Sequence, residues 1–342
     1  MGLRFPDDLG AWQRWQDSRH PARVLKAALR RTPHGPAAAW VARNTADEAQ
    51  VVAVLESRAA SSRMAVLEPL RHLAAEPLAV VAAFDPGEFL PGDWSVTRVE
   101  RFDPAVALPD ARVVLSAAHY LELGALVFAD AVRRGVPYAT VQHGLLTPSA
   151  PPLPDVGHLL AWSQADAGFW LSGRRDVAVT VVGSQLLWNA AAQDAAHVSR
   201  FARPTYLGQL HGAELPRAGM TRAVTEFCLE TGARYRPHPS ETDRLSVLQH
   251  RVWERMGIEI DRSGAPLSQT MSPVVSAFST GVLEAAARGV PAWVSYPRPP
   301  AWLGEFWERY RMSPWGGTPT PIADVPATEP GRAVADWLKG RL

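Results

Sequence analysis

Apolar runs of four or five residues alternate with longer stretches of helical period along the whole chain, the pattern of an α/β protein with parallel sheets. The first series predicts strands at 38–42, 64–68, 78–83, 96–99, 112–116, 138–142, 159–162 and 178–182. Helices are expected between them at 47–58, 120–134 and 165–171. The 120–134 segment closes on Arg133-Arg134-Gly135-Val136-Pro137, a basic last turn followed by a glycine stop and a proline. A second series follows a polar stretch at 185–203. It has strands at 205–210, 233–236, 258–260, 274–276 and 292–295, and helices at 218–231, 242–255 and 281–288. Two such series predict two facing Rossmann-like domains with a cleft between them. We expect an N-terminal domain over 1–190, a second domain over 204–315, and a tail over 316–342.

A chain of 342 residues exceeds the size at which a single core usually stops growing, in keeping with two domains. With 35 basic and 34 acidic residues there is no broad field for nucleic acid, so an anionic substrate must be held by local groups. The lone Cys228 excludes an intrachain disulfide and a cysteine metal site, and sits among Val224, Phe227 and Leu229 as a buried thiol would. No run reaches the roughly 18 apolar residues of a membrane span. The candidate Leu121–Val132 is short and carries Glu122 and Asp130. The expectation is a cytoplasmic protein without an integral membrane segment; peripheral membrane contact stays open.

Three motifs carry chemistry. Gln142-His143-Gly144 ends a strand, where ligands of open α/β sheets bind, and His143 can take a proton from a hydroxyl. Tyr235-Arg236-Pro237-His238-Pro239 ends another strand, with prolines fixing the backbone on both sides of His238. Arg236 beside it suits a phosphate oxygen. The third, Ser276-Ala277-Phe278-Ser279-Thr280, is a polar turn feeding a helix, offering hydroxyls and backbone N–H groups to an anion. Glu284 follows one turn later, placed for sugar hydroxyls. No Gly-x-Gly-x-x-Gly follows an early strand and no Walker A sequence occurs, which argues against nicotinamide, flavin or P-loop chemistry.

The order His-Gly, Arg-Pro-His-Pro, Ser-x-x-Ser-Thr-x-x-x-Glu-Ala and Gly-x-Pro resembles GT-B glycosyltransferases that make bacterial surface polymers. Polysialyltransferases and capsule-polysaccharide transferases share the His-Pro and Ser/Thr motifs; the CDP-glycerol glycerophosphotransferases are similar in their His-Gly and Arg-x-His-Pro patterns. The resemblance implies a metal-independent transferase for surface polysaccharide or glycoconjugate synthesis, using a nucleotide-sugar donor (a CMP-sugar first) and a saccharide or other hydroxyl acceptor, with no cofactor. It also implies that 1–190 is the acceptor side, that 204–315 binds the nucleotide donor, and that a helix of the 316–342 tail returns to the first domain. It implies that His238, Ser279 and Thr280, supported by Ser276, bind the donor phosphate, that Glu284 meets the ribose, and that His143 activates the acceptor. Two features depart from it: Gln142 stands where the glycerophosphotransferases carry an aromatic residue, and the paired acids plus glycine of polysialyltransferases have no counterpart at Asp47-Glu48-Ala49.

Glu68, read as closing the strand at 64–68, is the reserve base. Gly208 and His211 follow the first strand of the second domain, where loops approach a donor phosphate. His34-Gly35-Pro36 reads as a turn. Phe306, Trp307 and Tyr310 at helical spacing read as packing rather than sugar stacking. A sugar-nucleotide 2-epimerase of the same fold and a non-catalytic nucleotide-sugar-binding or scaffold protein are the alternatives.

Overall fold

The computed structural model describes residues 1–19, 37–45, 48–193, 198–210, 212–269 and 272–342. The chain forms two compact units, one built from Gly2–Leu186 with Pro326–Leu342 and the other from Leu187–Val325.

The first unit holds an eight-stranded sheet of β1 (Ala39–Arg43), β2 (Val51–Leu55), β3 (Leu78–Ala82), β4 (Ser95–Val99), β5 (Val113–Ser116), β6 (Tyr138–Val141), β7 (His158–Ala161) and β8 (Ala178–Val181), in the order β4-β1-β3-β2-β5-β6-β7-β8. Six neighbours from β3 to β8 run parallel, while β1 is antiparallel to both β3 and β4. Every residue of β2, β3, β5 and β6 is buried, as expected of strands covered on both faces. The chain runs from β2 to β3 on one side and then crosses to β5 on the other. The strand order therefore reverses between β2 and β5, the place where open α/β sheets leave a crevice at their carboxyl edge.

The second unit has four parallel strands, β9 (Thr205–Leu207), β10 (Arg234–Arg236), β11 (Val274–Ser276) and β12 (Ala292–Val294), in the order β10-β9-β11-β12. Both units are thus α/β and Rossmann-like, the first sheet parallel except at the β1–β4 edge and the second parallel throughout. The helix Pro330–Lys339 belongs to the first unit, where Val334, Ala335, Trp337 and Leu338 join Val66, Leu70 and Leu73 in one core.

Two elements differ from the sequence reading. The segment expected as a helix over 47–58 contains β2: Val-Val-Ala-Val-Leu is apolar at every position, so it buries fully only as an inner strand. Asp47 itself, like His34, lies outside the described residues. The strand expected at 64–68 is the end of a helix, Ala60–Leu67, running into a 3-10 turn, Glu68–Leu73. Val66, Leu67, Leu70 and Leu73 recur at helical spacing and bury one side of it. Smaller differences occur at edges: Gly208–Leu210 leave the sheet, and Ile260 makes only an isolated bridge to Tyr235. No helix among the described residues is long and apolar enough to cross a membrane.

Candidate functional site

In the second unit, the motifs meet at the carboxyl edge of three adjacent strands: Gly208 after β9, His238 after β10, and the 277–279 turn after β11. The turn is fastened from below. Ser276 donates to the Leu207 carbonyl (3.1 Å) and to Gln209 Oε1 (3.0 Å), and the same Oε1 accepts from the Phe278 N–H (3.0 Å). The Trp307 indole donates to the Ala277 carbonyl at 2.7 Å, and the Phe278 ring meets Trp302 and Phe306 edge-on. The aromatic row of the helix Ala301–Arg309 is therefore packing, and it shapes this turn.

Above this foundation, Ser279 caps the helix Thr280–Ala287, its Oγ accepting from the Gly281 N–H at 3.1 Å. The N–H groups of Ser279 and Thr280 have no partner among the described residues. The Ser279 hydroxyl still has a proton to donate. Together these form a donor-rich helix start suited to an anion.

His238 Nδ1 accepts from the Ser240 N–H (3.1 Å), so the neutral ring carries its proton on Nε2. Burial pushes its pKa down, opposed by the charge of Glu241. Glu284 is half-buried and raised above the usual carboxylate range by burial, with Arg288 and Arg236 acting against that shift. Arg236 donates to the Ala265 carbonyl and Arg288 to that of Leu267 at 3.1 Å, so two arginines clip the 265–267 loop beside Glu284. The buried Nε of Arg288 has no partner among the described residues.

Glu241, which sequence reasoning passed over, holds this edge together. Its fully buried carboxylate accepts from the Leu210 N–H (2.9 Å), the Tyr235 hydroxyl (2.8 Å) and His250 Nε2 (3.1 Å). Its own N–H donates to the His238 carbonyl at 2.8 Å. One residue thus ties the loop after β9 to the histidine turn after β10. Burial alone would raise its pKa, but bonds from His250, Tyr235 and two backbone groups hold it below the ordinary value. Gly208 is glycine because an added Cβ would lie 2.3 Å from the Tyr235 hydroxyl and 2.6 Å from Glu241 Oε1. His211 lies outside the described residues.

In the first unit, His143 follows β6 in a turn set by buried Gln142. The Gln142 amide donates to the Gly144 carbonyl (3.0 Å), its Oε1 accepts from Trp162 N–H (2.8 Å), and its carbonyl accepts the Trp162 indole N–H (2.9 Å). His143 Nδ1 is buried without a hydrogen-bond partner among the described residues. Burial lowers its pKa, the Val141 backbone opposing, so the imidazole is neutral at physiological pH. Glu68 does not end a strand. It opens the 3-10 turn and pairs with Arg71 at 3.2 Å, which removes the placement on which its reserve role rested. The carboxylate found where the strand order reverses is instead Glu56, just past β2, whose oxygens accept from the Leu123 and Gly124 N–H groups at 2.8 and 3.0 Å. Burial raises its pKa against those two bonds.

No protein-family model matches the chain, and no curated protein matches it. Solved structures do. The UDP-GlcNAc 2-epimerase from Methanocaldococcus jannaschii is 12% identical, with 85% of this chain and 99% of that one covered and a TM-score of 0.49. The corresponding epimerase from Rickettsia bellii is 11% identical over 86% and 95% of the chains, with a TM-score of 0.48. The glycotransferase of kitacinnamycin is 14% identical over 86% and 94%, with a TM-score of 0.42. At such scores the likenesses assign no activity to this chain.

Glu241, Gln209 and Arg288 carried weak sequence signals. A lone Glu after His-Pro-Ser reads as loop polarity, and Gln209 as part of a Gly-Gln-Leu turn. Gln142 was visible only as a departure from an expected aromatic residue.

Proposed function

We propose that the chain is a glycosyltransferase that moves a sugar from a nucleotide-activated donor to an acceptor hydroxyl. The observation carrying this reading is the joined carboxyl edge of β9, β10 and β11, where His238, Ser279, Thr280 and a helix start offer hydrogen-bond donors beside the half-buried Glu284. In this reading the donor's phosphate lies against the Ser279 and Thr280 N–H groups, the Ser279 hydroxyl and His238 Nε2. Glu284 accepts from the ribose hydroxyls, and the arginine-clipped 265–267 loop borders the base.

The acceptor oxygen attacks the anomeric carbon as the bond from that carbon to the phosphate oxygen breaks. The resemblance of the motifs offers His143 as the group that takes the acceptor's proton, and in the second unit the helix start with His238 stabilises the charge gathering on the leaving phosphate. A CMP-sugar is the first donor to try, on the resemblance of the motifs.

Titration calorimetry with CMP, CDP, UDP and GDP tests the site. His238→Ala is expected to weaken the nucleotide that binds by about 1.5–3 kcal/mol, the range of a hydrogen bond to a charged group. Unchanged affinity would move the donor site elsewhere. Turnover of a UDP-sugar without acceptor would make the protein an epimerase, and binding without any turnover a nucleotide-sugar-binding protein.

A further inference from the structure

The helix Arg244–Arg255 has an apolar row on its outer side. It buries Ser246, His250 and Trp253 against its unit. At about 3.6 residues per turn, Leu248 falls opposite those three, and Leu245, Val252 and the following Met256 continue the row along one flank. They are 63%, 55%, 39% and 44% exposed. Contiguous apolar rows of this kind on a helix mark interaction surfaces.

Arg244, Arg251 and Arg255 share this outer side, bordering the row along one flank, all exposed and none in an ion pair among the described residues. The only acid on the helix, Glu254, lies off this face, paired with Arg262 and within electrostatic reach of Arg251. The capping Asp243 is bound to the N–H groups of Leu245 and Ser246. The face is therefore leucine-rich and basic, with no acid on it.

We propose that this helix lies in the interfacial layer of an anionic lipid membrane, its apolar row entering the acyl boundary and its arginines meeting lipid phosphates. Interfacial helices join these two features, and their binding scales with both. A second copy of the chain is a poor occupant, because a twofold contact would set arginine rows against each other with no acid to neutralise them. Nucleic acid has no use for the leucine row. The proposal does not depend on the catalytic reading above.

The test is co-sedimentation of the full chain with vesicles of phosphatidylcholine alone and mixed with phosphatidylglycerol, at low and high salt. Binding is expected to the mixed vesicles only, and to fall at high salt as the charges are screened. Each arginine near an anionic surface strengthens partitioning about fivefold, so R251Q/R255Q is expected to bind about 25-fold more weakly. L245Q/L248Q is expected to lose about tenfold or more per leucine.

The substituted residues are exposed and outside the site described above, so nucleotide binding and thermal midpoint should hold. Because Cys228 is buried, Leu248→Cys labelled with a polarity-sensitive dye reports the face directly by a blue shift on acidic vesicles. Absence of sedimentation, equal binding to neutral vesicles, or an unshifted dye overturns the proposal. So does a concentration-dependent dimer abolished by Leu248→Gln, which would give the face to a second copy.

Discussion

Removing the Glu241 carboxylate tests whether the edge of the second unit is held as described. Glu241→Ala strips partners from the Leu210 N–H, the Tyr235 hydroxyl and His250 at one stroke, all of them buried. Leaving three buried donors without an acceptor, at about 1–3 kcal/mol for each group and with partial relaxation, costs about 3–5 kcal/mol. Glu241→Gln is milder. Its carbonyl oxygen can still accept from Leu210, while the Tyr235 hydroxyl rotates and His250 changes tautomer to accept from the amide. The loss is then about 1–2 kcal/mol, the charge assistance of those bonds.

The two variants also differ from wild type in pH dependence. Glu241 is held below its ordinary pKa, so its contribution is present above the unfolded value and is lost as pH falls through the folded one. Glu56 and Glu284 are raised, so theirs is present below the unfolded value and is lost as pH rises through the folded one. Those groups are common to all three proteins and cancel in the difference. Urea unfolding at neutral and acid pH is the assay; with a slope of about 2 kcal/mol per M, the alanine variant's midpoint falls by roughly 1.5–2.5 M. The gap between wild type and the glutamine variant should shrink in acid. An alanine variant within about 0.5 kcal/mol of wild type, or a gap that ignores pH, would refute the network.

Other outcomes follow from the same geometry. Gly208→Ala forces a Cβ into the Tyr235–Glu241 bond and is expected to cost about 1–3 kcal/mol of stability and to weaken nucleotide binding, both measurable by calorimetry. His143→Ala should lower turnover by about 10²–10⁴ while leaving nucleotide affinity unchanged; unaltered turnover would end its role as base. Because burial lowers the His143 pKa, the wild-type rate should be level at neutral pH and fall only as acid protonates the ring. Gln142→Ala frees the turn that presents His143, and a misplacement of about 1 Å would lower kcat some 100-fold with little change in donor affinity. Equal kcat would show that the turn holds without Gln142.

Glu68 and Glu56 show how far local pattern reaches. Both are single acids beside apolar runs, and only the packing partners of each run distinguish a strand end from a helical turn. Met64–Leu67 can be written as strand or helix; Leu70 and Leu73, which extend the helical row, decide it in the fold. Val51–Leu55 resembles a helix interior until both its faces are covered by layers. Gly135, by contrast, was legible, because a left-handed residue closing a helix is a local matter: its φ is 69° and its N–H meets Ala131 and Val132 carbonyls.

What the amino-acid order settled by itself is what short-range physics settles. The alternation of buried strands and helices, the glycine stop, and the placing of His143, His238 and the Ser279 turn after strands all follow from spacings of a few residues. The tertiary structure alone decided how the polar atoms are used. Ser276 is committed to Leu207 and Gln209, 69 and 67 positions away, and Glu241 to Leu210, 31 away. A buried hydrogen bond is chosen by whichever group the fold brings near, and the order β10-β9-β11 is what brings these groups together.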